Sequence, residues 1–145
     1  MKEKVIVRKA TVAEAVELSL KVPELIAPPG AEVYEQKVLP VPHLILVAEV
    51  AGIPAGFKVG YEREGYWYSW LGGVKPTARR KGVARALADA QDEWARRQGY
   101  PHITFKTKNC LRAMLRFGID RGFNIIGVDP HEEIGEYRIW LRRML

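Results

Sequence analysis

The chain is 145 residues long with a mass of 16.4 kDa, a length that accommodates one compact domain and little more. Its 48% hydrophobic content can fill a core and excludes disorder as the main state, while 23 Lys plus Arg against 17 Asp plus Glu leave a charge of +6. That charge suits an anionic cofactor, an acidic substrate or nucleic acid, but the basic residues are too scattered for a dedicated nucleic-acid arm.

The longest apolar run, Leu44–Ala48, stops at Glu49, far short of the ~20 residues of a membrane helix. The start, MKEKVIVRK, has no signal-peptide core, so a cytoplasmic protein without a membrane partner is expected. The lone Cys110 excludes an intrachain disulfide or a thiolate cluster. With His43, His102 and His131 isolated and no HExxH string, no metal site is expected.

Along the chain, Lys4–Arg8 is rich in β-formers. Thr11 and Glu14 have the spacing of a capping box, predicting a first helix from about Val12 to Lys21. The Pro-rich stretch from Pro23 to Pro42 reads as a long working loop inside the domain. Leu44–Val50 has strand length and composition, and Ala51–Pro54 reads as a turn. Phe57, Val59 and Tyr61 then alternate with polar or small residues, and Gly65 turns the chain into an aromatic strand over Tyr66–Val74.

From Val83 the period changes: Val83, Leu87, Ala90 and Trp94 recur at helical spacing, and Gly99 stands where a C-terminal cap belongs. Ile103–Lys106 reads as a strand and Leu111, Met114, Leu115 and Ile119 as a further helix stopped by Gly122. Two strands follow, over Phe123–Gly127 and Tyr137–Leu141. This order predicts an α+β fold.

The most informative stretch is LGGVKPTARRKGVARAL, Leu71–Leu87, in which an apolar strand runs through a basic, glycine-containing turn into a helix. The first N–H groups of a helix lack intrahelical partners and carry about half a positive charge in sum, so this layout can cradle a pyrophosphate. Gly82 permits close backbone approach, Ala84 keeps the next turn small, and Arg79, Arg80 and Lys81 add charge. Taken alone, the basic glycine fragment reads equally well as an ordinary solvated helix start. The chain contains neither GxGxxG nor GxxxxGK[ST].

Val74, Pro76, Arg79, Gly82 and Ala84 together resemble motif A of the GNAT N-acetyltransferase superfamily, in which R/Q-x-x-G-x-G/A binds acetyl-CoA. The order of elements over nearly the whole chain also resembles that family, as does the stretch from Asn109 to Gly122-Phe123. The resemblance implies a single acetyltransferase domain over residues 1–145 with a mixed, mostly antiparallel central sheet of six or seven strands flanked by helices. The fourth and fifth strands would splay to form a cofactor cleft. It implies acetyl-CoA as cosubstrate, with Leu71, Gly72, Gly73 and Val74 along the pantetheine arm, Arg79, Arg80, Lys81, Gly82, Val83 and Ala84 around the pyrophosphate, and Asn109 near the pantetheine or adenosine.

The implied reaction is direct attack of a primary amine, on a small molecule or a protein or peptide, upon the thioester. The positions that usually hold a catalytic Glu and Tyr in the family hold Tyr68 and Gly118 here. Tyr68 is the first candidate to replace them, with Ser69, Glu62, Glu64 and His102 behind it. Each Tyr or Trp of the aromatic strand can equally be core, and at least two of Tyr66, Trp67, Tyr68 and Trp70 are expected to be. The rest could pack against an aromatic or cationic acceptor, with Glu32 and Glu35 of the Pro-rich loop near its amine. Cys110 reads as packing.

Gly118 inside a helix suggests close packing or room for a ligand, if it is not simple drift at a tolerant site. Two other functions fit parts of the pattern: a non-catalytic acyl-CoA-binding sensor, which the missing Glu and Tyr would allow, and a basic nucleic-acid-binding domain. A homodimer through the last strand, around Trp140, Arg142 and Arg143, is a further possibility.

Overall fold

The computed structural model describes residues 4–145. Strand β1, Val5–Lys9, leads into helix α1, Val12–Ser19, through the capping box read from the sequence. The Glu14 N–H donates to Thr11 Oγ1 at 3.2 Å, and the Thr11 N–H donates to Glu14 Oε1 at 3.1 Å. The other Glu14 oxygen accepts from Arg8, 2.6 Å away, and Arg8 also reaches Glu49 at 3.1 Å, tying β1, α1 and the next strand together. The helix stops at Ser19, two residues short of the expected Lys21, where the Ser19 hydroxyl donates back to the Val16 carbonyl at 2.6 Å.

The Pro-rich stretch is not one loop. Helix α2, Ala31–Lys37, begins after Gly30 and buries Tyr34, with Val38 buried one turn on. The i,i+4 pair Tyr34 and Val38 was the available signal, hidden behind Pro28, Pro29 and Gly30.

Strands β2 (His43–Val50), β3 (Ile53–Arg63) and β4 (Tyr66–Val74) form an antiparallel meander. Helix α3, Val83–Arg97, then crosses over to β5, His102–Lys108, and is followed by α4, Arg112–Asp120, and strands β6, Asn124–Asp129, and β7, Arg138–Met144. The seven strands make one sheet in the order β1-β2-β3-β4-β5-β7-β6, antiparallel at every junction except β4 to β5. This is the mixed, mostly antiparallel sheet that the sequence predicts.

Both faces of the sheet are covered. Leu44, Leu46 and Ala48 of β2 join Trp67, Val83, Leu87, Ile103, Phe105 and Leu141 on the α3 side, while Ile45 and Val47 join Ala15, Leu18, Tyr34, Phe57 and Val59 on the α1 and α2 side. The period-two alternation explains why β2 reads as uninterrupted apolar sequence: each face of a central strand meets a core. Gly118 has a packing reason, since a Cβ there would lie 2.6 Å from Phe105 Cζ.

Candidate active site

The parallel junction of β4 and β5 is short. Trp67, Tyr68 and Ser69 pair with Ile103, Thr104 and Phe105, and beyond Ser69 the strands separate. The β5-facing backbone groups of β4 past that point have no strand partner. The opening leads into a cavity of about 830 Å³ walled by both strands, by α3 and α4, and by the 24–29 segment. In β4 the register against β3 shifts between Ser69 and Leu71, leaving Trp70 as a bulge. The bulge turns Trp70 and Leu71 both toward the α1 and α2 core.

At one end of the cavity lies the turn into α3. Arg80 and Gly82 both have left-handed backbone, φ 63° and 80°, and Gly82 is the N-cap residue of α3 with no side-chain cap beneath it. The opening N–H groups of α3 are therefore available to an anion, in the alternating backbone that forms anion-binding concavities. Nothing lies within 4 Å of where a Gly82 Cβ would be, so the space over the turn is open.

The expected cofactor residues fall into two groups. Leu71, Gly72, Gly73, Val74, Arg79 and Ala84 line the cavity. Arg80, Lys81, Gly82 and Val83 form the adjoining turn and first helical residue outside its lining, with Val83 buried in the core and the other three exposed. Arg79 bonds the Val74 carbonyl at 3.3 Å and Glu24 at 2.6 Å, and this guanidinium holds the Glu24 carboxyl below the ordinary range. Asn109 is half-buried and does not line the cavity; its side chain donates to the Ile134 carbonyl at 3.2 Å. Gly73 is needed by the fold, because a Cβ there would lie 2.7 Å from Val22.

Tyr68 does not line the cavity either. It is buried on the α1 and α2 face against Tyr61, 5.5 Å between rings, with the Arg63 guanidinium 5.0 Å over its own ring. Burial pushes its hydroxyl up to about 12, which keeps the phenol protonated. Of the other candidates, Ser69 alone reaches the cavity. Its Oγ accepts from Gln91 at 3.1 Å, and Gln91 accepts in turn from the Trp67 indole at 3.1 Å. His102 stacks on Tyr66, Glu62 faces Tyr100, and Glu64 sits in the β3–β4 turn.

Trp67 and Tyr68 are core residues, as expected for two of the aromatic strand. Two rings here already carry cations of the chain itself: Lys106 lies 5.2 Å from the Trp140 ring and Arg63 covers Tyr68. Cys110 is exposed and lines the cavity, which corrects its reading as packing.

Sequence reasoning missed Lys58. It stands on β3 directly opposite Gly72 and lines the cavity. It makes no hydrogen bond or ion pair among the described residues. Burial pushes its amine down to about 8, against the pull of Asp92 and with some help from Arg121. The sequence offers no local signal for it, because Lys58 alternates with Phe57 and Val59 and so reads as a position on a solvated face.

A sheet parted at one parallel junction, with an uncapped helix start at the mouth of the gap, has the shape and charge to receive a long ligand with an anionic end. The acetyltransferase (GNAT) family model matches residues 13–123, and the chain belongs to that family. Solved structures agree on the fold. The ribosomal-protein-S18-alanine N-acetyltransferase of Escherichia coli superposes with a TM-score of 0.81 at 16% identity, covering 97% of this chain and 94% of that one. The IAA acetyltransferase of Bacillus cereus gives 0.78 at 22%, covering 98% and 100%. A GNAT family acetyltransferase of Elizabethkingia anophelis, solved with acetyl-CoA bound, gives 0.76 at 17%, covering 99% and 100%. No curated protein sequence matches the chain. Among the described residues, no helix is long and apolar enough to cross a membrane.

Proposed function

We propose that this chain, acting as one domain, is an N-acetyltransferase that moves an acetyl group from acetyl-CoA to a primary amine of a small molecule, protein or peptide. The observation that carries the reading is the gap beyond Ser69 and Phe105, which runs from the closed end of the β4–β5 junction to the open N-terminus of α3. The residues present fit the cofactor's chemistry: apolar walls and free strand backbone for an amide-containing arm, and helix N–H groups with Arg79, Arg80 and Lys81 for a pyrophosphate. Its presence in a solved structure of the same fold supports the assignment.

When bound, acetyl-CoA supplies a thioester carbonyl activated for attack. Beyond Ser69, the unpaired N–H groups of β4 are placed to polarise that carbonyl. Ser69, whose oxygen already accepts from Gln91, keeps its own O–H to donate into the same space. Trp70, Lys106 and Arg138 line the side by which an acceptor would enter. Tyr68, protonated and packed against Tyr61 outside the cavity lining, contributes as a positioning residue. The acceptor amine loses its proton to cavity water, and the chain's main contribution is to hold the two reactants together.

Calorimetric titration with acetyl-CoA and with CoA tests the reading, using Gly82→Trp as the control variant. The left-handed backbone at Gly82 resists any side chain, and an indole would fill the open space over the turn. We expect wild-type binding and a loss of at least ~100-fold in the variant, ~2.7 kcal/mol. No binding by the wild-type protein at millimolar cofactor would end the proposal. Binding without turnover on a broad amine panel would favour an acyl-CoA sensor.

A further inference from the structure

Lys58 is the one titratable side chain shared between the large cavity and a small pocket of about 20 Å³ behind it. That small pocket lies between the sheet, α3 and α4. Ser69, Phe105, Met114 and Phe117 also border both spaces. Gly72, directly opposite on β4, places no side chain between the Lys58 stem and the gap. The α4 residues that border both spaces, Met114 and Phe117, carry no titratable group, and at Gly118, which borders the small pocket, the place of a Cβ is taken by the Phe105 ring.

An arm anchored at the α3 turn and laid along β4 has the run from Val74 to Ser69, about 17 Å of strand, before the junction closes. The sulfur at its far end therefore arrives near Ser69 and Phe105, which border the same two spaces as Lys58. Accepting the acetyl-transfer reading above, on which this rests, we propose that Lys58 is the general acid that protonates the departing CoA sulfur. The acceptor nitrogen forms the new N–C bond and the C–S bond breaks with its electron pair going to sulfur. The Lys58 ammonium then gives that sulfur a proton. The products are CoA thiol and a neutral Lys58, which regains a proton from water in the cavity.

The charge balance around Lys58 favours this use. The groups facing it are Asp92 of α3 and Arg121 at the end of α4; Asp92 is held by Arg121 at 2.6 Å and by Arg143 of β7. The carboxylate is thus already neutralised by two guanidiniums and leaves Lys58 without an ion pair. A thiol has an ordinary pKa of about 8.5 and the Lys58 amine lies near 8, so the two are close enough for a proton to pass between them.

The test uses free CoA and needs no acceptor. The thiolate absorbance of CoA is followed against pH when bound to the wild-type protein, to Lys58→Met and to Lys58→Gln, with thermal melts confirming that both variants are folded. An ammonium beside the sulfur should lower the bound thiol's pKa by about one unit or more, and both variants should lose that shift while still binding CoA. Equal thiol pKa values in all three proteins would overturn the assignment of Lys58 and leave the cofactor reading standing. Failure of the wild-type protein to bind CoA would overturn both. An acetyl group found on Lys58 by intact mass after incubation with acetyl-CoA would also overturn it, by making the amine an acceptor.

Discussion

The two ends of the β4–β5 junction are built from the same two strands and do opposite things. At the closed end, Trp67 pairs with Ile103, both fully buried, and the Trp67 ring packs 4.9 Å from Trp94 and 5.1 Å from Tyr100. At the open end, Gly72 and Gly73 face a cavity, and the backbone groups that would continue the ladder have no strand partner. The closed end buries its aromatics and completes its hydrogen bonds. The open end forgoes both, and unmade backbone bonds cost free energy unless water or a ligand satisfies them. Buried packing resides in one half of the junction, and the other half is left open to a cavity.

Five substitutions probe that division. The largest effect is expected at the closed end, where Trp67→Ala removes a fully buried ring and strands the Gln91 amide oxygen; chemical denaturation should show a loss of about 3–5 kcal/mol. An equal loss from a substitution such as Gly72→Ala at the open end would break the comparison.

Lys58→Met should stabilise the protein, by about 1–3 kcal/mol at pH 7, because it removes a charge that the fold desolvates. The sign follows from proton binding: with the folded amine titrating near 8 and the unfolded one near 10.5, the unfolded chain binds more protons between those values. Wild-type stability therefore rises with pH across that window, and the advantage of the variant should shrink there. Melting curves from pH 7 to 10 check both statements.

Gly118→Ala sets a helix-propensity gain of about 1 kcal/mol against a contact with the Phe105 ring. That ring is pinned by Phe123, 4.9 Å away, so the clash should win and cost a net ~1–2 kcal/mol by denaturation. The smallest effect is expected from Glu24→Gln. Releasing Arg79 at the cavity mouth should tighten CoA binding about threefold by calorimetry and leave stability within about 0.5 kcal/mol, since both partners are largely exposed.

The parts of the molecule that could be read from the sequence are those whose signal is local. The Thr11–Glu14 box, the helical period from Val83 to Trp94 and the basic turn before it each carry their meaning within one or two turns of chain. Helix α2 was missed because it is only seven residues long, follows Pro28, Pro29 and Gly30, and has a single buried face, Tyr34 and Val38, that is meaningful only against α1 and the sheet. Lys58 was missed for a related reason. A lysine in an alternating strand reads as a solvated position, and only the packing of α3 and α4 over that face turns it into an interior amine.

By itself, the sequence determined the order of the strands and of every helix but α2, the family motif and the position of the basic turn before α3, because hydrophobic period, capping and glycine placement act over a few residues. Which face each aromatic residue takes, where the β4–β5 junction opens, and which titratable side chain stands opposite Gly72 were decided by tertiary structure. The bulge at Trp70 shifts the alternation, and the approach of β5, α3 and α4 sets the solvation of every group between them. Those are contacts between residues far apart in the chain, and no local pattern encodes them.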